Sequence, residues 1–223
     1  MRQPLQGSAN KSRALSRTLT GGALLLLATG STVHAAPDGA ELIAGLARVP
    51  PAQIEFLEVR SSALLTEPIV VGGTLEYAGR DELDRRVERP YRESTTVRGE
   101  TVYVEREGEP TRTFSLKRSA ELRGLLTAML GLLRGDGDFL DDHFTVDVEE
   151  TGDRWRLDLA PTDGRLRQRL RGIIVAGEGH EPLCFVIDDN QGGASVMLLG
   201  TAAADAPPLP LSRDAMLARC AAE

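Results

Sequence analysis

Between Pro68 and Leu116 the chain runs through short segments in which apolar and polar residues alternate, with turn residues between them. Ile69, Val71, Leu75 and Tyr77 fall on one parity and Thr74 and Glu76 on the other, the period of a half-buried strand. Leu83, Val87 and Tyr91 share a face among the charged neighbours Glu82, Asp84, Arg86 and Glu88. Thr95 and Val97 follow, Arg98-Gly99-Glu100 turns the chain into Val102 and Val104, and Gly108 with Pro110 turns it into Phe114 and Leu116. The pattern predicts an antiparallel meander with one apolar face.

Before the meander, Asp38-Gly39-Ala40-Glu41 has the form of a helix N-cap, and Leu42, Ile43, Leu46 and Val49 continue at helical spacing up to a stop at Pro50-Pro51. Ile54 to Ser61 is apolar on both parities, Ile54 and Phe56 on one and Leu57 and Val59 on the other. Such a strand is expected to be covered on both faces. After the meander, Leu122, Leu125, Leu126, Met129, Leu130 and Leu133 recur at three- and four-residue intervals and predict a helix from Ser119 to Leu133. At about 22 Å it crosses a small sheet but not a bilayer. Gly124 and Gly131 inside it each cost on the order of 1 kcal/mol relative to alanine, so the helix reads either as ordinary core or as a loosely packed lid over a cavity.

Strand periodicity returns with Phe144, Val146 and Val148, with Trp155, Leu157 and Leu159 after Thr151-Gly152-Asp153, and with a segment from Arg165 to Ala176. Leu183, Phe185 and Ile187 come next, then Val196 and Leu198 alternating with Met197 and Leu199 after a turn over Asp188 to Gly193. Ten or eleven strands against three helices predict an α+β fold: one large, twisted antiparallel sheet with helices on its concave side, since so many strands curl. Arg165, Arg167, Arg169 and Arg171 are expected on one side of a strand, as a solvated face against Asp84 and Glu88 or as a docking stripe for an acidic partner or an anionic head group.

The first residues change the setting. Arg2, Lys11, Arg13 and Arg17, then an apolar run centred on Ala23 to Ala28, then small residues at Val33 and Ala35 read as a secretory signal peptide over 1–35 cleaved after Ala35. A single domain over 36–223, ending in a helix that Ser212 caps and that runs through Met216, Leu217 and Cys220 to reach the sheet, and an extracytoplasmic, periplasmic location follow as expectations. The whole chain has 26 basic and 33 acidic residues, net −7, and losing the leader's four positive charges makes it −11. A balance so acidic argues against nucleic acid and anionic membrane surfaces as partners.

Chemistry-bearing motifs are thin. His143 and His180 stand in turn-like contexts away from metal spacing, and Asp141-Asp142-His143 reads as a solvated helix end. Asp188-Asp189-Asn190 with Gly192-Gly193 lacks the ligand alternation of a calcium loop. No nucleophile elbow or phosphate loop occurs, so no enzyme activity and no cofactor is expected. With five Phe, three Tyr and one Trp, the interior must be mainly Leu, Val and Ile, which suits acyl chains.

At this point the order of the pieces resembles a known family. The leader, the capped helix, Phe56-Leu57-Glu58-Val59-Arg60, Gly73-Thr74-Leu75-Glu76-Tyr77, Asp81-Glu82-Leu83 ending at Pro90, and Val97 to Val102 are similar to the LolA-type periplasmic carriers of outer-membrane lipoproteins. The resemblance implies an open, unclosed β-barrel covered by helices, binding acyl chains of lipoproteins or other lipids without a cofactor. Its partners would be an inner-membrane donor and an outer-membrane acceptor. An accessory module holding a hydrophobic small molecule for a neighbouring biosynthesis or export system is the alternative. The family's arginine-proline after the second strand is replaced by Gly79-Arg80-Asp81, so either Arg80 latches a lid from one position away or the latch is absent. The expected cavity wall is Phe56, Val71, Leu75 and Val102, continued by Val104, Phe114, Trp155 and Leu157. Leu122, Leu125, Leu126 and Met129 are the expected lid. Cys184 and Cys220 are expected to form a disulfide, two free thiols being the alternative, in a chain that works as a monomer.

Overall fold

The structure is a computed structural model that describes residues 39–62, 65–190, 193–206 and 212–220. The leader with its cleavage site and the N-cap at Asp38 lie outside the described residues. Strands β1 (Ala52–Ser61), β2 (Ile69–Gly79), β3 (Glu82–Arg89), β4 (Glu93–Arg98), β5 (Thr101–Arg106) and β6 (Arg112–Ser115) form one antiparallel meander. Strands β7 (Phe144–Thr151), β8 (Arg154–Pro161), β9 (Leu170–Glu178), β10 (Glu181–Asp189) and β11 (Ala194–Leu199) form a second. The two are joined edge to edge by antiparallel pairing of β1 with β11, from Phe56 opposite Leu199 to Ser61 opposite Ala194. The result is one eleven-stranded sheet in the order β6-β5-β4-β3-β2-β1-β11-β10-β9-β8-β7, unclosed, with β6 and β7 at opposite edges.

That order dictates what lies between β6 and β7. The connection must travel from one edge to the other, and it does so as a 3-10 turn (Leu116–Arg118), helix α2 (Ala120–Arg134) and helix α3 (Gly137–Asp141), laid over one face of the sheet. Ser119 caps α2 by accepting from the Leu122 amide, and Gly135, at φ 65°, closes it in the left-handed conformation that glycine adopts without strain. Leu126, Leu130 and Leu132 are buried while Leu122, Leu125, Met129 and Leu133 are partly so, the wide stripe the spacing predicts. The two glycines within α2 have a packing reason. A methyl group at Gly124 would stand 2.8 Å from Leu166, and one at Gly131 2.5 Å from Leu140, so their absence lets α2 settle closely on its neighbours.

Strand parity divides the residues between two layers. Phe56, Val71, Leu75, Leu157, Ile173, Val175, Phe185, Met197 and Leu199 face α2. Val59, Cys184, Val186, Val196 and Leu198 face the other way and are covered by helices α5 (Gly200–Ala204) and α6 (Arg213–Cys220), with Met216 wholly buried among them. β1, in the middle of the sheet, is covered on both faces as its doubly apolar sequence requires.

Three expectations are corrected. There are six α-helices among the described residues, not three, and α5 and α6 lie on the face away from α2, because the second apolar face of β1, β10 and β11 needs its own cover. Helix α1 (Gly39–Gly45) ends before Leu46 and does not run to Pro50, and Val49 is 87% exposed. The arginine segment is not one strand. Asp163 accepts from the Arg165 and Leu166 amides and caps a helical turn, α4 (Gly164–Arg167), and β9 begins only at Leu170. Leu166 and Leu170 are four residues apart, a spacing that satisfies a helical turn as well as a strand. β9 lies between β8 and β10, so its arginines do not meet Asp84 or Glu88: Arg169 pairs with Glu121 at 3.5 Å and Arg171 with Asp188 at 3.0 Å.

Cys184 of β10 and Cys220 of α6 form the expected disulfide across a separation of 36 residues, which ties the last described helix to the sheet. Closing a loop of that length stabilises the folded state by about 4 kcal/mol in the chain-entropy account. Cys220→Ser is expected to lower the unfolding free energy from urea titration by most of that amount, and with it the midpoint, while leaving the β-sheet circular dichroism unchanged. An unchanged midpoint would show that α6 is held by Met216 and Leu217 packing alone.

Candidate functional site

Between the sheet and the C-terminal half of α2 lies a cavity of about 360 Å³. Its apolar wall comes from Ile54 of β1, Leu75 and Tyr77 of β2, Leu83 of β3, Phe185 of β10 and Leu199 of β11, and its roof from Met129, Leu132 and Leu133 of α2. Leu46 after α1 and the Pro182-Leu183 start of β10 complete it. Its polar lining is Arg48, which pairs with Glu181 at 3.1 Å, together with Gln53 and Thr201. The volume lies at the low end of the roughly 300–1,000 Å³ typical of ligand pockets, with room for one chain-sized apolar ligand.

Of the eight residues expected to form the wall, Leu75 lines this cavity. Phe56, Val71, Trp155 and Leu157 are buried in the central cluster on the same face. Val102, with Val104 and Phe114 packed against it, belongs to the cluster that receives Leu126 and Leu130 from α2. Of the expected lid residues, Met129 reaches the cavity, whereas Leu122, Leu125 and Leu126 press on the sheet clusters beside it. Ile54, Leu83, Phe185 and Leu199 were missed. Leu75 is the direct cross-strand partner of Ile54, and Tyr77 of Leu83, so they complete the wall only once the register is known.

At the position of the expected latch, Arg80 sits in the β2–β3 turn at φ 52°, a left-handed backbone rarely taken by a non-glycine residue. What it offers α2 is its backbone. Arg134, the last residue of α2, donates to the Arg80 carbonyl at 2.9 Å and pairs with the Asp81 carboxylate, while its guanidinium also lies over the Phe139 ring. The cation is on the helix and the acceptors are on the turn. Both partners are partly exposed, so the pair is a modest tie.

A second polar feature is more deeply buried. Glu58 follows Phe56 on the inward parity of β1 and is 2% exposed. One carboxylate oxygen accepts from Arg60 Nε at 2.8 Å and from the Ser195 hydroxyl, and the other accepts from Arg60 Nη2 at 2.9 Å and Arg85 Nη2 at 2.7 Å. Arg85 also lies over the Phe56 ring, 4.7 Å from its centroid. Burial alone pushes the Glu58 carboxyl up, but the charge and hydrogen bonds of Arg60, the charge of Arg85 and the Ser195 hydroxyl outweigh it, and the net shift is downward. Arg60, bonded twice to Glu58, is raised, whereas burial leaves Arg85 lowered. Among the described residues no group of three or more His, Cys, Asp or Glu side chains is placed to hold a metal ion.

An open antiparallel sheet with an aliphatic cavity under a crossing helix defines a protein built to surround a hydrophobic ligand. The sequence profile described as outer membrane lipoprotein carrier protein LolA-like matches residues 31–221. The chain belongs to that family. No curated protein matches it. Among solved structures, it is similar to a LolA superfamily protein from Nitrosomonas europaea at 11% identity and TM-score 0.41, covering 79% of this chain and 97% of that one. A DUF1329 family protein from Desulfovibrio piger matches at 11% identity and TM-score 0.40, over 73% and 90% of the two chains. The MucA/MucB complex of Pseudomonas aeruginosa matches at 11% and 0.37, over 80% and 60%. These are distant likenesses, and membership rests on the family profile.

The Glu58 cluster gives a sign to the pH dependence of stability. A carboxyl whose folded pKa is depressed contributes stability that is present above its unfolded value, near 4.5, and is lost as the pH falls through the lower folded value. Glu58→Gln is therefore expected to destabilise the protein by about 3–5 kcal/mol at pH 7, since it strands two arginines, and by less as the pH falls below about 4.5. Equal destabilisation at pH 7 and pH 3 in urea titrations would contradict this account of the cluster.

Proposed function

We propose that this protein is a periplasmic carrier that holds the acyl chain of a lipoprotein, or of a related lipid, in the cavity beneath α2 for transfer towards the outer membrane. The observation that carries the reading is the cavity itself: aliphatic side chains from both meanders line a space that a fixed core would close to recover its lost dispersion contacts. Membership of a carrier family supports it, and so does the Cys184–Cys220 disulfide, which fits an oxidising compartment. Export would follow cleavage after Ala35. An inner-membrane donor would load the chain and an outer-membrane acceptor would receive its cargo.

In this reading α2 is the lid, and Met129, Leu132 and Leu133 are the part of it that touches cargo. Leu122, Leu125 and Leu126 seat it on the sheet. The tie from Arg134 to Asp81 and the Arg80 carbonyl stands where the family's arginine latch would act, with donor and acceptor exchanged, and it restrains the end of α2 that roofs the cavity.

Met129 separates ligand binding from folding because it reaches the cavity while only half buried. The neutral dye N-phenyl-1-naphthylamine is expected to brighten on binding the native protein. Met129→Asp should weaken that binding at least about tenfold, since a carboxylate beside an apolar ligand costs several kcal/mol, and should lower the melting temperature by only a few degrees. Undiminished dye binding by a folded Met129→Asp protein would remove the cavity from the account.

A further inference from the structure

The face of the sheet that forms the cavity wall is not apolar throughout. Following strand parity along the first meander, β1 presents Ile54, Phe56, Glu58 and Arg60 towards α2, β3 presents Leu83, Arg85 and Val87, and β4 and β5 end in Glu93 and Arg106. One end of this face carries the cavity and the other carries charge. On the inward parity of β1 to β5 three arginines, Arg60, Arg85 and Arg106, stand against two glutamates, Glu58 and Glu93, in a chain whose overall charge is −7.

The surplus positive charge resides on Arg85. Glu58 is saturated by four donors, and Arg106 is occupied by the Tyr91 ring at 4.1 Å and by Glu93 at 3.9 Å. Arg85 gives one amino group to Glu58, and its Nε is buried without a hydrogen-bond partner among the described residues. An unpaired donor on a mostly buried guanidinium is costly, and such groups call for an explanation. The lowered pKa of Arg85 beside the raised pKa of Arg60 points to the same under-compensated cation.

Arg85 is not itself part of the cavity lining, but it stands beside two residues that are. Leu75, a wall residue, is its direct cross-strand partner, and Leu83, another wall residue, is two places before it on the same face. Those neighbours lie about 5 and 7 Å away at the backbone, and Phe56 packs beneath the guanidinium. A ligand chain resting on Leu75 and Leu83 and extended along the same face would meet Arg85 next. The planar fork of a guanidinium matches a carboxylate or a phosphate in two-point hydrogen bonding.

We propose that Arg85, held in place by Glu58, is the head-group subsite of the cavity, and that the ligand is an acyl chain ending in a single anionic group, a carboxylate or a phosphate. This rests on the cavity being an acyl-binding site. The arrangement selects one anionic group: a neutral chain leaves the Arg85 Nε unpartnered, and a doubly headed anion meets Glu58. Net repulsion of anions by the acidic surface is overcome locally, inside the sheet, where the charges are least screened.

The test is displacement of N-phenyl-1-naphthylamine by three ligands of equal chain length: dodecanoate, dodecyl phosphate and methyl dodecanoate. On the native protein at least one of the two anions is expected to bind about tenfold tighter than the ester, and the tighter of them names the source, free fatty acid or phosphorylated lipid. Arg85→Gln should bring both anions to within about twofold of the ester. Arg85→Lys, which keeps the charge and loses the fork, should restore part of the preference. Equal binding of all three ligands by the native protein overturns the subsite while leaving the cavity reading intact. A preference undiminished in folded Arg85→Gln overturns it as well. Failure of the dye to bind at all overturns the cavity reading and the subsite together. Should Arg85→Gln not fold, the comparison of anions with ester on the native protein decides the matter alone.

Discussion

The pairing of β1 with β11 is the constraint on which the rest of the molecule depends. It joins two antiparallel meanders in the middle of one sheet, and so places the end of the first and the start of the second at opposite edges. The chain between them has to cross the sheet, and a helix is the economical way to cross because it satisfies its own backbone hydrogen bonds while presenting an apolar stripe. The same pairing buries β1 from both sides, which requires a second layer on the reverse face. Helices α5 and α6 supply it, with the disulfide fastening the second of them.

A helix laid across a curled sheet touches it along two lines and leaves space between. α2 is drawn close to α4 at Gly124 and to α3 at Gly131, and its Leu126 and Leu130 fill the first meander's cluster. Towards its C-terminal end the contacts thin into the cavity, where Met129, Leu132 and Leu133 face Ile54, Leu75 and Leu83 across open space. The close approaches hold the helix as a unit, and the tie from Arg134 to the β2–β3 turn meets it where it roofs that space. Function in this architecture comes from what the packing leaves unfilled.

Much of the fold was legible from periodicity. β1, the meander from β2 to β6, the strands from β7 to β11 and the span of α2 all follow from apolar spacing, because each element buries a stripe or a parity that shows in its own sequence. The arginine segment was misread because Leu166 and Leu170 satisfy both periods, and only the Asp163 cap decides for a turn. The placement of α5 and α6 was missed although the doubly apolar pattern of β1 and β11 demanded a second layer. The cavity wall was the least legible part. Whether Phe56 or Ile54 borders open space depends on where a helix far along the chain stops touching the sheet, and no local pattern encodes that. Glu58, by contrast, carried a readable signal: a charge on the same parity as Phe56 in a central strand must be compensated from within.

The account's central claim is that the space beneath α2 is occupied by an acyl chain when the protein works. Native mass spectrometry of the protein isolated without denaturation from the cells that make it tests this most directly. The account predicts an ion heavier than the disulfide-bonded polypeptide by the mass of a single acyl-chain lipid, with the extra mass released by organic solvent. A spectrum of bare polypeptide alone, from protein that also takes up no dodecanoate, would contradict it.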